Sequence, residues 1–162
     1  MVGIIQSGAV TPNHLCSWVA DGIIGDGGVS PTAQQVIASI RGANFNTTTD
    51  QPIVIPQSFV AFQLTSIIVT NASQALSSAV GGFYPQPSKG GTQIVSQAQT
   101  YAALTGQTSL LNPTLTASVA TTRYSSANLG QIGGLLAIWF SLTTPQGLLA
   151  TADIFVIGVN LT

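Results

Sequence analysis

The clearest strand pattern in the sequence is Ser58-Phe59-Val60-Ala61-Phe62-Gln63-Leu64-Thr65-Ser66-Ile67-Ile68-Val69-Thr70. Its first apolar positions alternate through Val60, Phe62 and Leu64, which is the side-chain period of a half-buried strand. Ile67 and Val69 continue the apolar positions with the opposite parity, so the period slips at Thr65-Ser66. Such a slip indicates a β-bulge or a passage between sheets. The stretch therefore predicts one long strand with an irregularity near its middle.

Other segments after residue 44 carry similar strand patterns. Residues 135–143 are apolar at both parities, which is typical of a central strand buried on two faces. Residues 152–161 alternate through Phe155, Ile157, Val159 and Leu161. Together with shorter runs between Gly, Pro and Asn turns, these segments predict about eight strands. We therefore expect an all-β fold, a β-sandwich or jelly roll.

The first part of the chain has a different character from the rest. Residues 1–42 are predicted to form an extended, glycine-rich N-terminal arm with one short helix, and residues 43–162 the β-sandwich domain. The helix is predicted over residues 30–40, because Ser30 can cap it, Pro31 suits its first turn and Gly42 can end it. A helix of about ten residues is marginal on its own and needs packing partners.

The scarcity of charge is the most unusual feature of the composition. Charged residues make up 4% of the chain, against about 25% in a typical soluble protein. The formal net charge is -1, and a protein close to neutrality tends to associate. Because the cores of protein interfaces are depleted of charge, the composition predicts a protein with large permanent interfaces.

The same composition argues against two classes of partner. Three cations spread along the chain cannot neutralise a phosphate backbone, so nucleic-acid binding is not expected. The longest strongly apolar run, residues 133–140, is far shorter than the roughly 20 residues that span a bilayer, so no membrane partner is expected either. Cys16 stands alone, which excludes a disulfide within the chain and favours folding in a reducing cell interior.

Two residue pairs are candidate catalytic groups, and neither predicts an enzyme. His14 and Cys16 would need mutual contact and a third orienting group to make a nucleophile. Asp50 and Asp153 would need to meet across a sugar to hydrolyse it, and the chain contains no Glu. We expect a non-enzymatic protein with no catalytic residue.

The sequence also contains candidate residues for metal and sugar binding. Asp21 and Asp26 lie in a glycine-rich loop, but their spacing does not match a calcium-binding loop, and turns stabilised by Asp are the simpler interpretation. Six aromatic residues could form a sugar-binding surface, but packing is favoured for them: Trp18, Phe83, Tyr84, Tyr101, Tyr124 and Trp139. We therefore expect no metal and no cofactor.

The arm carries the residues predicted to contact a partner. A glycine-rich segment that includes a Trp favours docking onto another surface over folding alone. The predicted partner-binding residues are His14, Leu15, Trp18, Ile23 and Ile24.

Several segments resemble virion structural proteins of tailed bacteriophages. They are residues 10–15 (Val-Thr-Pro-Asn-His-Leu), residues 21–28 (Asp-Gly-Ile-Ile-Gly-Asp-Gly-Gly), residues 44–53, 69–73, 88–95, 141–147 and 152–154. The resemblance covers most of the chain and brings no catalytic residue with it.

The resemblance implies a component of the virion. Small β-sandwich proteins of phages often decorate or cement the capsid as dimers or trimers. The implied partners are thus the major capsid protein and further copies of this chain, as a homodimer or homotrimer. The implied location is the capsid surface, after synthesis in the host cytoplasm. A tail, fibre or receptor-binding module of the virion is the alternative.

Overall fold

The computed structural model of the protein describes the backbone of residues 5–6, 16–20, 23–26 and 33–161, and the side chains of residues 33–161. The chain divides into two units, Met1–Ala33 and Gln34–Thr162. The second unit begins with a strand at Gln34, so the domain boundary expected between residues 42 and 43 falls inside that strand.

The first unit contains three short paired strands. They are β1 (Ile5–Gln6), β2 (Cys16–Ala20) and β3 (Ile23–Asp26). β1 runs parallel to β3, and β2 runs antiparallel to it. The predicted extended arm therefore pairs strands within itself.

Nine strands and one short 3-10 helix form the described part of the second unit. In chain order they are β4 (Gln34–Asn44), β5 (Gln51–Val54), β6 (Ala61–Thr70), β7 (Val80–Tyr84), β8 (Leu110–Leu111), the 3-10 helix (Ala117–Thr121), β9 (Arg123–Ser125), β10 (Gly130–Ile132), β11 (Leu135–Thr144) and β12 (Thr151–Asn160).

These nine strands form two antiparallel sheets. The β4 sheet has the order β4-β12-β6, with β8 and β9 both pairing the far edge of β6. The β11 sheet has β11 at its centre, with β5 on one side and β7 and β10 on the other. The inner faces pack on each other around one core, which includes the aromatic rings of Phe45, Phe83, Tyr101 and Phe140. The predicted β-sandwich is confirmed, and the jelly-roll connectivity stays a prediction.

Strand β6, within residues 58–70, has the predicted irregularity. In β6, Ser66 is opposite Ile157 of β12 and Leu64 is opposite Gly158, so Thr65 is an extra residue. This bulge lets Phe62 and Leu64 before it, and Ile67 and Val69 after it, all face the core despite their different parity. The predicted central strand is confirmed too, since every residue of β11 from Ala137 to Leu142 is buried.

The helix predicted over residues 30–40 is wrong for the described part, since residues 34–40 belong to strand β4. β4 pairs along β12, from Asn44 opposite Thr151 to Gln34 opposite Val159. Val36, Ile37 and Ile40 are β-branched, which suits a strand, and the pairing buries Ile37 fully. A short helix, marginally stable on its own, would not gain this stabilisation from pairing with β12. Gly42 does have the left-handed backbone expected of it (φ +63°), but it serves a β-bulge instead of a helix end.

Candidate interaction surfaces

The residues predicted to bind a partner lie in the first unit. His14 and Leu15 lie outside the described residues. Trp18 lies in β2 opposite Ile24 of β3, and Ile23 of β3 is opposite Ile5 of β1. The backbone pairing therefore brings Trp18, Ile23 and Ile24 into one small sheet.

The described surface of the second unit has few charges. Between residues 33 and 161 the charged side chains are Arg41, Asp50, Lys89, Arg123 and Asp153. Arg41 Nη1 lies 2.8 Å from Asp153 Oδ2, so this pair largely neutralises itself. Most of the remaining polar surface consists of hydroxyl and amide groups.

Asp153 is the one buried carboxylate in the described part of the chain, and three donors hold it. Its oxygens accept hydrogen bonds from Arg41 Nη1 (2.8 Å), the Gly42 backbone N–H (2.8 Å) and Asn71 Nδ2 (3.0 Å). Burial alone would raise the pKa of Asp153, but these hydrogen bonds and the Arg41 charge outweigh it and lower the pKa below 3.8. The carboxylate thus joins β12, the bulge of β4 and the end of β6.

Asp50 has a separate role. Its carboxylate accepts a hydrogen bond from the Ser88 backbone N–H and so joins the turn before β5 to the turn after β7. Asp50 and Asp153 share no hydrogen-bond partner in the described residues. The two candidate carboxylates for sugar hydrolysis therefore take part in separate sets of hydrogen bonds.

The outward side of the β4 sheet is an apolar surface. Phe155 of β12 is opposite Ser39 of β4 and Ile68 of β6, while Ile157 is opposite Val36 and Ser66. Residues directly opposite in an antiparallel pair project from the same face. We call this surface the outer face and define it by Val36, Ser39, Ser66, Ile68, Phe155, Ile157 and Val159. Its apolar members are half-buried, except Val36, which is 51% exposed.

Arg41 lies at the edge of the outer face. Its guanidinium carbon is 4.4 Å from the centre of the Phe155 ring, a cation–π contact, while the same group is held by Asp153. Apart from this neutralised pair, no residue that defines the outer face is charged. The outer face is therefore apolar, hydroxyl-bearing and electrically neutral.

The outward side of the β11 sheet differs, because the chain covers it. Tyr84 and Trp139 are opposite each other on β7 and β11, and they are 0% and 8% exposed. The turn that follows β7 lies close to Gly130 and Trp139, since a Cβ at Gly130 would lie 2.9 Å from Pro87 Cδ and 3.0 Å from Trp139 Nε1. Burial first, and the charge of Asp50 second, raise the pKa of Tyr84. Tyr84 and Trp139 on this side of the sandwich are therefore buried within the unit itself.

A pocket of about 570 Å³ lies beside the free edge of β6. β9 pairs this edge at Ala61–Gln63 and β8 pairs it at Val69–Thr70, so in the described structure residues 64–68 have no strand partner there. The pocket lies along this gap, and its lining is uncharged: Gln63, Leu64, Thr65, Ser66, Asn112, Pro113, Leu115, Thr116, Ala117 and Ala120. It is a second candidate surface.

A third exposed apolar feature is the loop between β11 and β12. Leu148 and Leu149 lie at its tip, and Leu149 is 85% exposed. Neighbouring groups fix the loop, since Gln74 Nε2 donates to the Leu149 carbonyl and the Ser78 backbone N–H donates to Gln146 Oε1. The two leucines are thus presented on an ordered loop.

The predicted packing role of the aromatic residues is confirmed for those the structure describes. Phe83, Tyr84, Tyr101, Tyr124 and Trp139 are all buried. Tyr124 stacks on Phe62 with ring centres 5.9 Å apart, and burial raises its pKa to about 12. The side chain of Trp18 lies outside the described residues.

Two searches of the described residues concern metals and membranes. They contain no group of three or more His, Cys, Asp or Glu side chains that could hold a metal ion. Among the same residues, no helix is long and apolar enough to cross a membrane.

Comparison with known proteins gives no relative from which a function could be taken. No family model matches the chain, and no curated protein and no solved structure matches it. The function has to be argued from the surfaces themselves.

Proposed function

We propose that this chain is a structural protein of a phage virion that decorates or cements the capsid by binding the major capsid protein. The proposal assigns no catalytic residue and no cofactor. In it, the protein acts by covering and joining capsid subunits, and it also contacts further copies of itself.

The scarcity of charge on the described surface is the observation that carries the proposal. Residues 33–161 contain five charged side chains, and two of these, Arg41 and Asp153, neutralise each other in an ion pair. A free monomer with such a surface lacks the charge that keeps proteins apart in solution. A protein buried between capsid subunits needs no such charge, because permanent interfaces favour apolar and neutral groups.

The distribution of exposed apolar groups supports the same role. Val36 and the rest of the outer face lie on one sheet, and Leu148 and Leu149 lie on the loop between β11 and β12. Val54 lies in β5, and Val60 directly precedes β6. Several separate apolar surfaces on one small sandwich suit a protein that contacts more than one neighbour.

The alternative, a tail, fibre or receptor-binding module, predicts an exposed aromatic and amide patch for glycans. Sugar-binding sites stack the sugar on exposed rings, whereas none of the ten aromatic residues between positions 33 and 161 is fully exposed, and only Phe59 and Phe155 are even partly so. The described surface therefore favours the capsid role.

A reconstitution experiment tests the proposal. Capsids assembled without this chain are mixed with the purified full-length protein, and bound copies per capsid and the temperature of capsid disruption are measured. We expect saturable binding at a fixed number of copies per capsid subunit and a higher disruption temperature. Protein unfolded by heat is the control. Binding to isolated tails but not to capsids would contradict the proposal and support the alternative.

A further inference from the structure

We propose that the pocket beside β6 binds a short extended segment of another protein, which pairs with residues 64–68 as an added strand. We call this pocket, of about 570 Å³, the edge cleft. The inference goes beyond the proposed function, because it assigns a binding site and the conformation of what binds there. It depends only on contacts within residues 33–161 and stands whether or not the chain is part of a capsid.

The backbone of residues 64–68 has unused hydrogen-bonding groups on one side. β12 pairs one edge of this stretch, whereas β9 pairs the other edge only as far as Gln63 and β8 only from Val69. Apart from the pairing with β12, no hydrogen bond between described residues reaches the backbone of residues 64–68. An open strand edge presents a row of N–H and C=O groups to which another extended backbone can bind. The edge cleft therefore has the chemistry of a site for an added strand.

The opposite wall of the edge cleft is held in place by its own contacts. Leu115 forms a β-bridge with Val95, and Val95 forms one with Phe83 of β7. The Thr116 N–H donates to the Ile94 carbonyl at 2.9 Å. This wall cannot close onto β6 without breaking these contacts, so the edge cleft is preformed. Its volume lies within the range of about 300–1,000 Å³ that is typical of ligand sites.

The two ends of the edge cleft limit the length of a bound segment. At one end, Gln63 Nε2 donates to the Ala120 carbonyl. At the other end, Thr70 Oγ1 donates to the Ser109 carbonyl at 2.9 Å. The open stretch between β9 and β8 is five residues long, which corresponds to about 17 Å of strand. The bound segment is therefore a short one, such as a loop tip or a chain terminus.

The lining of the edge cleft defines the side chains of the segment. No lining residue is charged, so an ionised side chain would lose its water without gaining a partner. Leu64 and Leu115 offer apolar contacts, and Thr65 and Ser66 offer hydroxyl groups. We expect an uncharged segment in which apolar and hydroxyl side chains alternate, because successive side chains of a strand point to opposite faces.

The pairing within the chain favours another protein as the source of the segment. Each of the twelve described strands is already paired within its own unit. A strand taken from this chain, or from a second copy of it, would have to break an existing pairing before it could enter the edge cleft. A loop or terminus of another protein meets no such cost.

The test uses the full-length protein and a capped, uncharged probe peptide, acetyl-Thr-Val-Thr-Val-Thr-amide. Exchange of the backbone amide protons is measured by NMR in the free protein and at increasing concentrations of the peptide. We expect the outward amides of residues 64–68 to exchange readily in the free protein and at least about tenfold more slowly at saturating peptide. The same peptide with an N-methyl group on every residue is the control, and it should not bind because it has no backbone donors.

A variant that narrows the edge cleft provides a second measurement. Ala117 is an exposed residue of the opposite wall, and Ala117→Trp should raise the Kd of the probe peptide at least about tenfold, because the indole occupies the space of the segment. Ala102→Trp is the matched control, since Ala102 is also exposed but lies outside the lining, and it should leave the Kd unchanged. Circular dichroism verifies that both variants keep their strands.

The results that would overturn the inference identify the other occupants. Outward amides that are already protected in the free protein at every concentration would show that the edge cleft is filled by the same chain. Protection that grows with protein concentration alone would assign the edge cleft to a second copy. Exchange that the probe peptide does not slow, or equal binding of the N-methylated peptide, would remove strand addition as the mode of binding.

Discussion

At the scale of single residues, Asp153 joins three parts of the sandwich through its hydrogen bonds. It is buried and accepts hydrogen bonds from Arg41, Gly42 and Asn71. Asp153→Asn turns part of this acceptor into a donor that faces other donors. We expect a loss of about 1–3 kcal/mol in the free energy of unfolding, measured by urea denaturation at neutral pH. Asp50→Asn is the control and should cost less, because Asp50 accepts one hydrogen bond from an exposed turn.

The stability that Asp153 contributes to the fold should decrease as the pH is lowered. Its pKa is lower in the folded protein than its ordinary value of 3.8, so the folded state favours the charged form. The stabilisation is fully present above the unfolded pKa and is lost as the pH falls through the folded pKa. The difference in stability between the unaltered protein and Asp153→Asn should therefore shrink below about pH 4. A difference that stays constant down to pH 2 would contradict this assignment.

Two buried tyrosines provide a comparison of hydroxyl groups. The Tyr101 hydroxyl donates to the Gly81 carbonyl at 3.3 Å, whereas the Tyr84 hydroxyl has no partner in the described residues. Tyr101→Phe should cost about 0.5–1.5 kcal/mol of stability, and Tyr84→Phe should be neutral or stabilising. Thermal unfolding of both variants checks this. A larger loss for Tyr84→Phe than for Tyr101→Phe would show that its hydroxyl has a partner.

At the scale of secondary structure, the sequence predicts strands best where a pattern of apolar residues extends over many positions. The bulge at Thr65 and the doubly buried β11 could be predicted because their apolar residues mark the buried faces directly. The local pattern of residues 34–40 favours a helix, whereas the segment forms a strand because it pairs with β12, more than a hundred residues later. Local residue propensities carry no information about a pairing partner so distant in the sequence.

The outer face shows why the candidate surface could be predicted only in part. The sequence shows the alternation through Phe155, Ile157 and Val159. The residues of β12 that face the core are those of the opposite parity, Ala152, Ile154 and Val156. Both parities of β12 are apolar, so periodicity alone cannot decide which side is inward. The pairing register with β6, which includes the bulge at Thr65, determines which side of β12 faces the core.

The close packing of β12 on β6 leads to a prediction at Gly158. A Cβ there would collide with the Gln63 carbonyl oxygen and would lie 2.9 Å from Ile37 Cγ1. Gly158→Ala should therefore lower the free energy of unfolding by about 1–3 kcal/mol, because backbone atoms have to move. Gly106→Ala is the matched control, since a Cβ at Gly106 meets nothing within 4 Å. Equal stability of both variants would contradict the described register.

At the scale of the whole molecule, the neutral surface predicts association that hardly depends on salt. Screening weakens contacts between exposed charges, and this chain brings very few to an interface. The capsid affinity should change less than about threefold between about 0.05 M and about 1 M NaCl. Capsid binding at several salt concentrations measures this. A steep loss of affinity with salt would mean that a charged partner surface dominates.

The proposal that this charge-poor sandwich covers a capsid is tested most directly by locating the chain in the purified virion. Cryo-electron microscopy of intact particles, with the chain identified by fitting the sandwich into the map, gives that location. We predict density for the chain at regular positions on the capsid shell, in contact with the major capsid protein. Density confined to the tail, or particles that lack the chain altogether, would contradict the proposal.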